Sequence, residues 1–287
     1  MRMMSSGRCL ALALAVAVTG SACARTPSTE QKRTSPMSDT VTTGRTINRH
    51  TYSDAPVDVK LGPNTFRIPA NYLDSQIAPW PGEGVTLLIE WPEMKPTPPG
   101  ARVNPRTNDF RKEISVSIDY IDRAPIETSL ERLSSNEAIT EDGSLERRDP
   151  RDRLDLRIAQ AKTMGLMLYA IDEAKMAGYS KEYETRYGKP PTRNPGYEDD
   201  WYVARGPKGN LTTFIKCDSK TFRGDGVRLE GNQVISEDGA VAAGCFHYFS
   251  DIENNLSITL TYKRAFLKDW KRMESAVRHA LARTKVQ

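Results

Sequence analysis

Residues 113–120 read EISVSIDY, and their alternation constrains this chain more than any other stretch. Ile114, Val116, Ile118 and Tyr120 project to one side, while Glu113, Ser115, Ser117 and Asp119 project to the other. A strand with one apolar and one wet face belongs to a sheet that packs on a core by a single face, which is the habit of antiparallel sheets.

Other segments extend that sheet. Residues 57–61 and 65–69 flank the turn residues Gly62, Pro63 and Asn64 and predict a hairpin. Residues 85–91 are apolar and β-branched enough for a more buried strand, which Pro92 ends. Residues 201–204 and 211–217 predict a second hairpin across Gly206-Pro207-Lys208-Gly209-Asn210. Residues 245–249 and 256–262 predict a third, turning at Glu253-Asn254-Asn255. Residues 164–176 (MGLMLYAIDEAKM) favour a strand, with an Ala-rich helix as the alternative, because short apolar runs are ambiguous.

Two stretches carry the helical period instead. After Pro125, Ile126, Leu130 and Leu133 share one face of a short helix. Near the chain's end, Phe266, Trp270, Met273, Val277 and Leu281 form one stripe, with Lys268, Lys271, Arg272, Glu274 and Arg278 facing away. That helix is expected to pack on a sheet, and the basic residues 278–285 suit the negative end of its dipole.

The pattern is strands then a helix, a charged stretch, and strands then a helix again. It predicts an α+β fold, mainly antiparallel sheets with packing helices, in two lobes. The expected lobes are residues 54–136 and 164–287, joined by a charged linker at 137–163 whose core, GSLERRDPRDRLDLR, has few apolar residues. Two long Pro-rich loops interrupt them, at 92–108 and 188–200, and loops of that length are often functional.

The N-terminal segment sets the compartment. Arg2 and Arg8 precede an uninterrupted apolar run at 10–18, which ends in Thr19, Gly20 and small residues. This is the layout of an export signal; the run is about half of the ~20 residues that a spanning helix needs. Ala22-Cys23-Ala24 offers a site for ordinary signal peptidase after Ala24. Gly20-Ser21-Ala22-Cys23 resembles the lipobox of bacterial lipoproteins, although Gly20 stands where an aliphatic residue is usual. That resemblance implies lipidation of Cys23, and Ala24 after it implies sorting to the outer membrane. Residues 1–23 are therefore expected to be a signal peptide. Residues 24–53, rich in Ser, Thr and Pro, are expected to form a flexible tether.

With Cys9 and Cys23 assigned to the leader, Cys217 and Cys245 are the remaining pair of the four cysteines. In an oxidising periplasm they read as one disulfide, contributing roughly 3 kcal/mol by the loop-entropy model. Losing Arg2 and Arg8 lowers the formal net charge from +4 to +2, too little to suggest nucleic acid. His50, His247 and His279 are the three histidines, and the first and last lie in the tether and near the chain end. No phosphate loop, nucleophile elbow, zinc motif or dinucleotide fingerprint is present, so no catalytic residue, metal or cofactor is assigned.

Three segments carry a further resemblance: Thr65-Phe66-Arg67-Ile68-Pro69-Ala70-Asn71-Tyr72-Leu73, Gly244-Cys245-Phe246-His247-Tyr248-Phe249, and Leu260-Thr261-Tyr262-Lys263-Arg264 with Leu267-Lys268-Asp269-Trp270. They are similar to exported proteins of Gram-negative bacteria, some of which resemble immunity proteins encoded beside toxic effectors of contact-dependent secretion systems, including those that neutralise phospholipases. The resemblance implies a non-enzymatic periplasmic protein that binds and blocks a secreted toxin, a phospholipase or a cell-wall hydrolase. It brings no inhibitory residues with it. Trp, Tyr and Arg usually anchor such interfaces. The candidate partner-binding residues are therefore Trp80, Trp91, Tyr197 and Trp201 beside the two loops, with Asp199 and Asp200 as an acidic cluster that could steer a basic partner. The rival reading is a structural or assembly lipoprotein of the envelope, which would lack a toxin gene beside its own.

Overall fold

The computed structural model describes residues 46–47, 50–51, 53–74, 84–102, 105–221 and 223–286. The signal peptide, Cys23, most of the expected tether and Trp80 lie outside them. Within the stretch expected as tether, β1 (Thr46–Ile47) pairs antiparallel with β2 (His50–Thr51).

The first expected hairpin forms as β3 (Pro56–Leu61) and β4 (Asn64–Pro69). Gly62 at its turn has φ +58°, and a Cβ there would lie 2.5 Å from the Tyr120 ring, so both backbone and packing select glycine. Then come β5 (Gly84–Glu90) and β6 (Glu113–Tyr120), whose Ile114, Val116 and Ile118 are fully buried, as their alternation predicts. The helix expected after Pro125 begins as a 3-10 turn and continues as α1 (Ser129–Leu133).

The segment expected to be one strand from 164 to 176 divides. An edge hairpin, β7 (Ile158–Thr163) and β8 (Leu166–Ala170), turns at Met164 and Gly165, both with positive φ. α2 (Glu173–Tyr187) follows because Asp172 caps it, accepting bonds from the Ala174 and Lys175 N–H groups. Gly188, in the left-handed conformation, ends it.

The remaining strands are β9 (Asp199–Arg205), β10 (Leu211–Asp218), β11 (Val227–Glu230), β12 (Gln233–Ser236), β13 (Gly244–Asp251) and β14 (Leu256–Lys263). A 3-10 turn over Arg264–Asp269 leads into α3 (Trp270–Thr284). Buried Arg264 holds the excursion between β10 and β13, donating to the Asp225 carboxylate and to the Asp218 and Arg223 carbonyls at 2.6 Å each.

Eight strands form one sheet in the order β5-β6-β14-β13-β10-β9-β8-β7, antiparallel at every step. The α+β architecture agrees with the sequence. The sheet, however, runs straight through the boundary drawn between the expected lobes: the hairpin β13–β14 joins β6 directly to β10. Every described residue belongs to one compact unit, Val41–Gln287.

The main core lies on one face, where α3 and the β3–β4 hairpin meet the sheet. The stripe Phe266, Trp270, Met273, Val277 and Leu281 is buried there among Leu61, Phe66, Leu260 and Ile258. Burying one such side chain is worth about 1.5–3 kcal/mol. Cys217 and Cys245 sit directly opposite each other on β10 and β13 and form the expected disulfide within this core.

The second face is covered over half its width. Leu130 of α1 and Leu154 pack on Trp201, Val203, Leu211 and Phe214 of β9 and β10. The expected linker thus does not hang between lobes as a solvated turn: Leu145 is fully buried with Met176 and Tyr179 of α2, and Arg157 is buried as well. Its charges pair locally, Arg151 with Asp149 and Arg153 with Asp155, which is why so polar a segment can be packed.

Candidate functional site

Over β6, β14 and the 244–246 end of β13 the second face is open, whereas Leu88 of β5 is buried and Tyr248 of β13 packs against the covered cluster. The outward residues Thr86, Ser115, Ser117, Thr259 and Tyr248 are half-buried, and Thr261 and Phe246 are exposed. Registers place Thr261, Phe246, Lys216 and Trp201 in one row across four adjacent strands. Phe246, 52 % exposed, is the large apolar side chain of that row that faces water.

Where the covered and open halves meet, charges gather around Trp201. The Arg157 guanidinium lies 3.8 Å from its ring centroid and the Lys216 ammonium 4.5 Å. Burial pushes Arg157 down to about 10 and lowers Lys216 from its usual value, with Asp199 and Asp152 opposing both shifts. Asp199 is raised, by burial first, with Lys216 and Arg157 pulling it back.

The residues expected to bind a partner divide sharply. Trp201 is 1 % exposed and meets Phe214 edge to face at 4.9 Å. Trp91 is 3 % exposed, stacked on Phe266 at 4.9 Å, and donates its indole N–H to Asp269 at 2.9 Å. Both rings serve the core. Tyr197 is 75 % exposed, with Arg223 over its ring at 5.9 Å. Asp199 and Asp200, as neighbours in a strand, point to opposite faces. Asp200 accepts bonds from the Ser219 hydroxyl and the Lys220 N–H. The adjoining Glu198 is buried and paired with Arg193, which also grips Glu173. The acidic run therefore presents little free charge to a partner. Phe246, Tyr248 and Lys216 were missed, although the inward alternation of Cys245, His247 and Phe249 sends Phe246 and Tyr248 outward.

Two other places were candidates for chemistry. His247 is fully buried; its Nε2 lies 2.9 Å from Glu274 Oε1 and its Nδ1 3.3 Å from the Tyr262 hydroxyl. The Thr213 hydroxyl donates to the same Glu274 oxygen at 2.7 Å. This network fastens α3 to the sheet through saturated hydrogen bonds, with Cys245 beside it committed to the disulfide. A cleft of about 430 Å³ lies where α1, the β9–β10 turn and Arg278 meet. Its lining mixes Glu127 with Arg278 and exposed Ile252 with buried Leu130 and Leu211, which favours no single ligand chemistry. Among the described residues no group of three His, Cys, Asp or Glu could hold a metal ion.

No protein-family model matches the chain, and no curated protein matches it. Among solved structures, that of Smlt3025, an immunity protein of the Stenotrophomonas maltophilia type IV secretion system, superposes with a TM-score of 0.81. The two are 74 % identical over 85 % of this chain and 99 % of the other. This chain belongs to the Smlt3025 family. At that identity and TM-score the fold is shared with an immunity protein, in keeping with the immunity-type resemblance seen in the sequence. The secretion system that Smlt3025 belongs to is of type IV.

Proposed function

We propose that this chain is an exported immunity protein that binds and blocks a toxic effector enzyme, a phospholipase or a cell-wall hydrolase, delivered into the periplasm. The observation that carries the reading is its 74 % identity, over 99 % of the other chain, with the immunity protein Smlt3025. The Cys217–Cys245 disulfide supports an oxidising compartment, since such bonds persist outside the cytosol. On this reading residues 1–23 direct export, Cys23 carries a lipid that holds the protein at the outer membrane, and residues 24–53 tether the folded part. The protein acts by contact, occluding the effector, and performs no chemistry itself.

Deleting the gene with and without its neighbour tests the reading. Self-intoxication is expected when the neighbouring effector gene is present and absent when both are removed. Unchanged fitness in both backgrounds refutes an immunity role and leaves the assembly-lipoprotein alternative. A Cys23→Ala variant separates anchoring from inhibition: it is expected in the soluble periplasmic fraction and still able to bind effector.

A further inference from the structure

On the open half of the sheet, one patch is left unmatched by its surroundings. Phe246 stands opposite Thr261 on one side and Lys216 on the other. Gly244, two residues earlier on the same strand, stands opposite Lys263. A Cβ on Gly244 would meet nothing closer than the Tyr262 carbonyl at 3.8 Å, so the floor beside the phenyl ring is a gap. Lys216 and Lys263 rise on the two strands that flank it.

The arginines around this patch are paired with carboxylates except Arg157, beside Lys216, which bonds only to backbone carbonyls and leaves its buried Nε without a partner. Arg223 pairs with Asp218, Arg111 with Asp109, Arg106 with Glu113, and Arg264 with Asp225. Among the described residues, the side chains of Lys216 and Lys263 make no hydrogen bond and no ion pair, the Lys216 ammonium resting only against the Trp201 and Phe214 rings, and both residues are half-buried. Burial lowers the pKa of both; Asp199 and Asp152 partly offset this for Lys216, and Asp109 and Glu113 for Lys263, acting through space. A partly desolvated ammonium without a direct counter-ion gains most from a carboxylate placed against it, because charge-assisted bonds strengthen as water is excluded.

We propose that Phe246, Lys216 and Lys263, around the gap at Gly244, form the surface on which the effector docks, and that the effector meets it with a carboxylate side chain beside an apolar one. This rests on the immunity reading. The surface is broad and shallow, floored by Ser115, Ser117, Thr259 and Thr261, which suits a protein surface rather than a small molecule. The acidic groups at its margins, Asp199 and Glu113, disfavour polyanions such as nucleic acid or an anionic membrane, yet tolerate a single carboxylate set against one lysine. An exposed phenyl is one of the aromatic side chains that protein interfaces favour over the rest of a surface.

The test is surface plasmon resonance between the full-length chain and the catalytically silenced effector encoded beside its gene. Lys216→Glu and Lys263→Glu are each expected to weaken binding by at least about 30-fold, and Phe246→Ser by at least about tenfold, with Lys181→Glu on exposed α2 within about twofold. Lys216→Met keeps an apolar side chain of similar length and removes the ammonium that lies over Trp201, so it should lose affinity, with its melting temperature reading separately what the lost ring contact costs. Full affinity in all four patch variants overturns the patch and leaves the immunity reading standing. Absence of binding by the unmodified chain removes both. A self-association that Phe246→Ser dissolves, with effector binding unaltered, makes a second copy of this chain the occupant and also overturns the proposal.

Discussion

Breaking the Cys217–Cys245 bond without removing an atom from the core should cost about 3.6 kcal/mol. The two residues are 28 apart in sequence, and loop-closure entropy, −2.1 − 1.5R ln n cal/mol/K, gives that figure at 25 °C. The native side of the balance changes little on reduction. Cys217 and Cys245 are 0 % and 1 % exposed, and free thiols behave there as small apolar groups. The loss therefore arises in the unfolded chain, where residues 218–244 are no longer closed into a ring. For a unit of this size each kcal/mol corresponds to roughly 2–4 °C, so the reduced form should melt about 7–14 °C below the oxidised form. Calorimetry of the same preparation with and without reductant reads the difference, with alkylation in denaturant confirming the thiol state. A Cys217→Ala/Cys245→Ala variant should melt lower still, because it adds a cavity. A reduced form melting within about 2 °C of the oxidised one would refute the reasoning, since strain in the native bond would then be offsetting the whole entropic gain.

His247 makes stability fall with acid. Burial lowers its folded pKa below 6.5, against the smaller opposing pull of Glu274, so the unfolded chain takes up a proton first as pH drops. Its contribution is full above about pH 6.5 and declines below it by at most about 1.4 kcal/mol per pH unit. Urea midpoints at pH 7.5, 6.5 and 5.5 should show that decline in the unmodified chain and a shallower one in His247→Gln; equal slopes would contradict the assignment. Gly226 and Gly143 both have positive φ, but a Cβ on Gly226 would lie 2.6 Å from the Val241 carbonyl, whereas one on Gly143 meets nothing within 4 Å. Gly226→Ala should therefore cost about 3 kcal/mol or more and Gly143→Ala about 1 kcal/mol, read from urea melts.

The strands were legible where one face is dry and the other wet. Ile114 to Ile118 and the 256–262 segment announce themselves because a period of two has no other use. α2 was obscured because its apolar residues, Met176 and Tyr179, follow directly on the strand Leu166–Ala170; the signal that separates them is one capping residue, Asp172. The packing of residues 137–157 was hidden because isolated leucines, Leu145 and Leu154, do the burying while arginines and aspartates neutralise one another beside them. Strand order was beyond reach, since alternation says which side of a strand is dry but not which strand lies next to it. Trp91 and Trp201 show the same limit at the site: the residue type that anchors an interface also anchors a core, and only its neighbours distinguish the two.

The placement of β14 between β6 and β13 bears on how the polypeptide can travel. Until residues 256–263 have emerged, the β5–β6 ribbon has no route to the strands from β7 to β10, and the middle of the molecule is missing. A polypeptide threaded N-terminus first through a narrow conduit can thus pair β5 with β6 and β7 through β10 among themselves, but cannot complete the eight-stranded sheet during most of its passage. It locks only when its last portion slides in between the two earlier pieces.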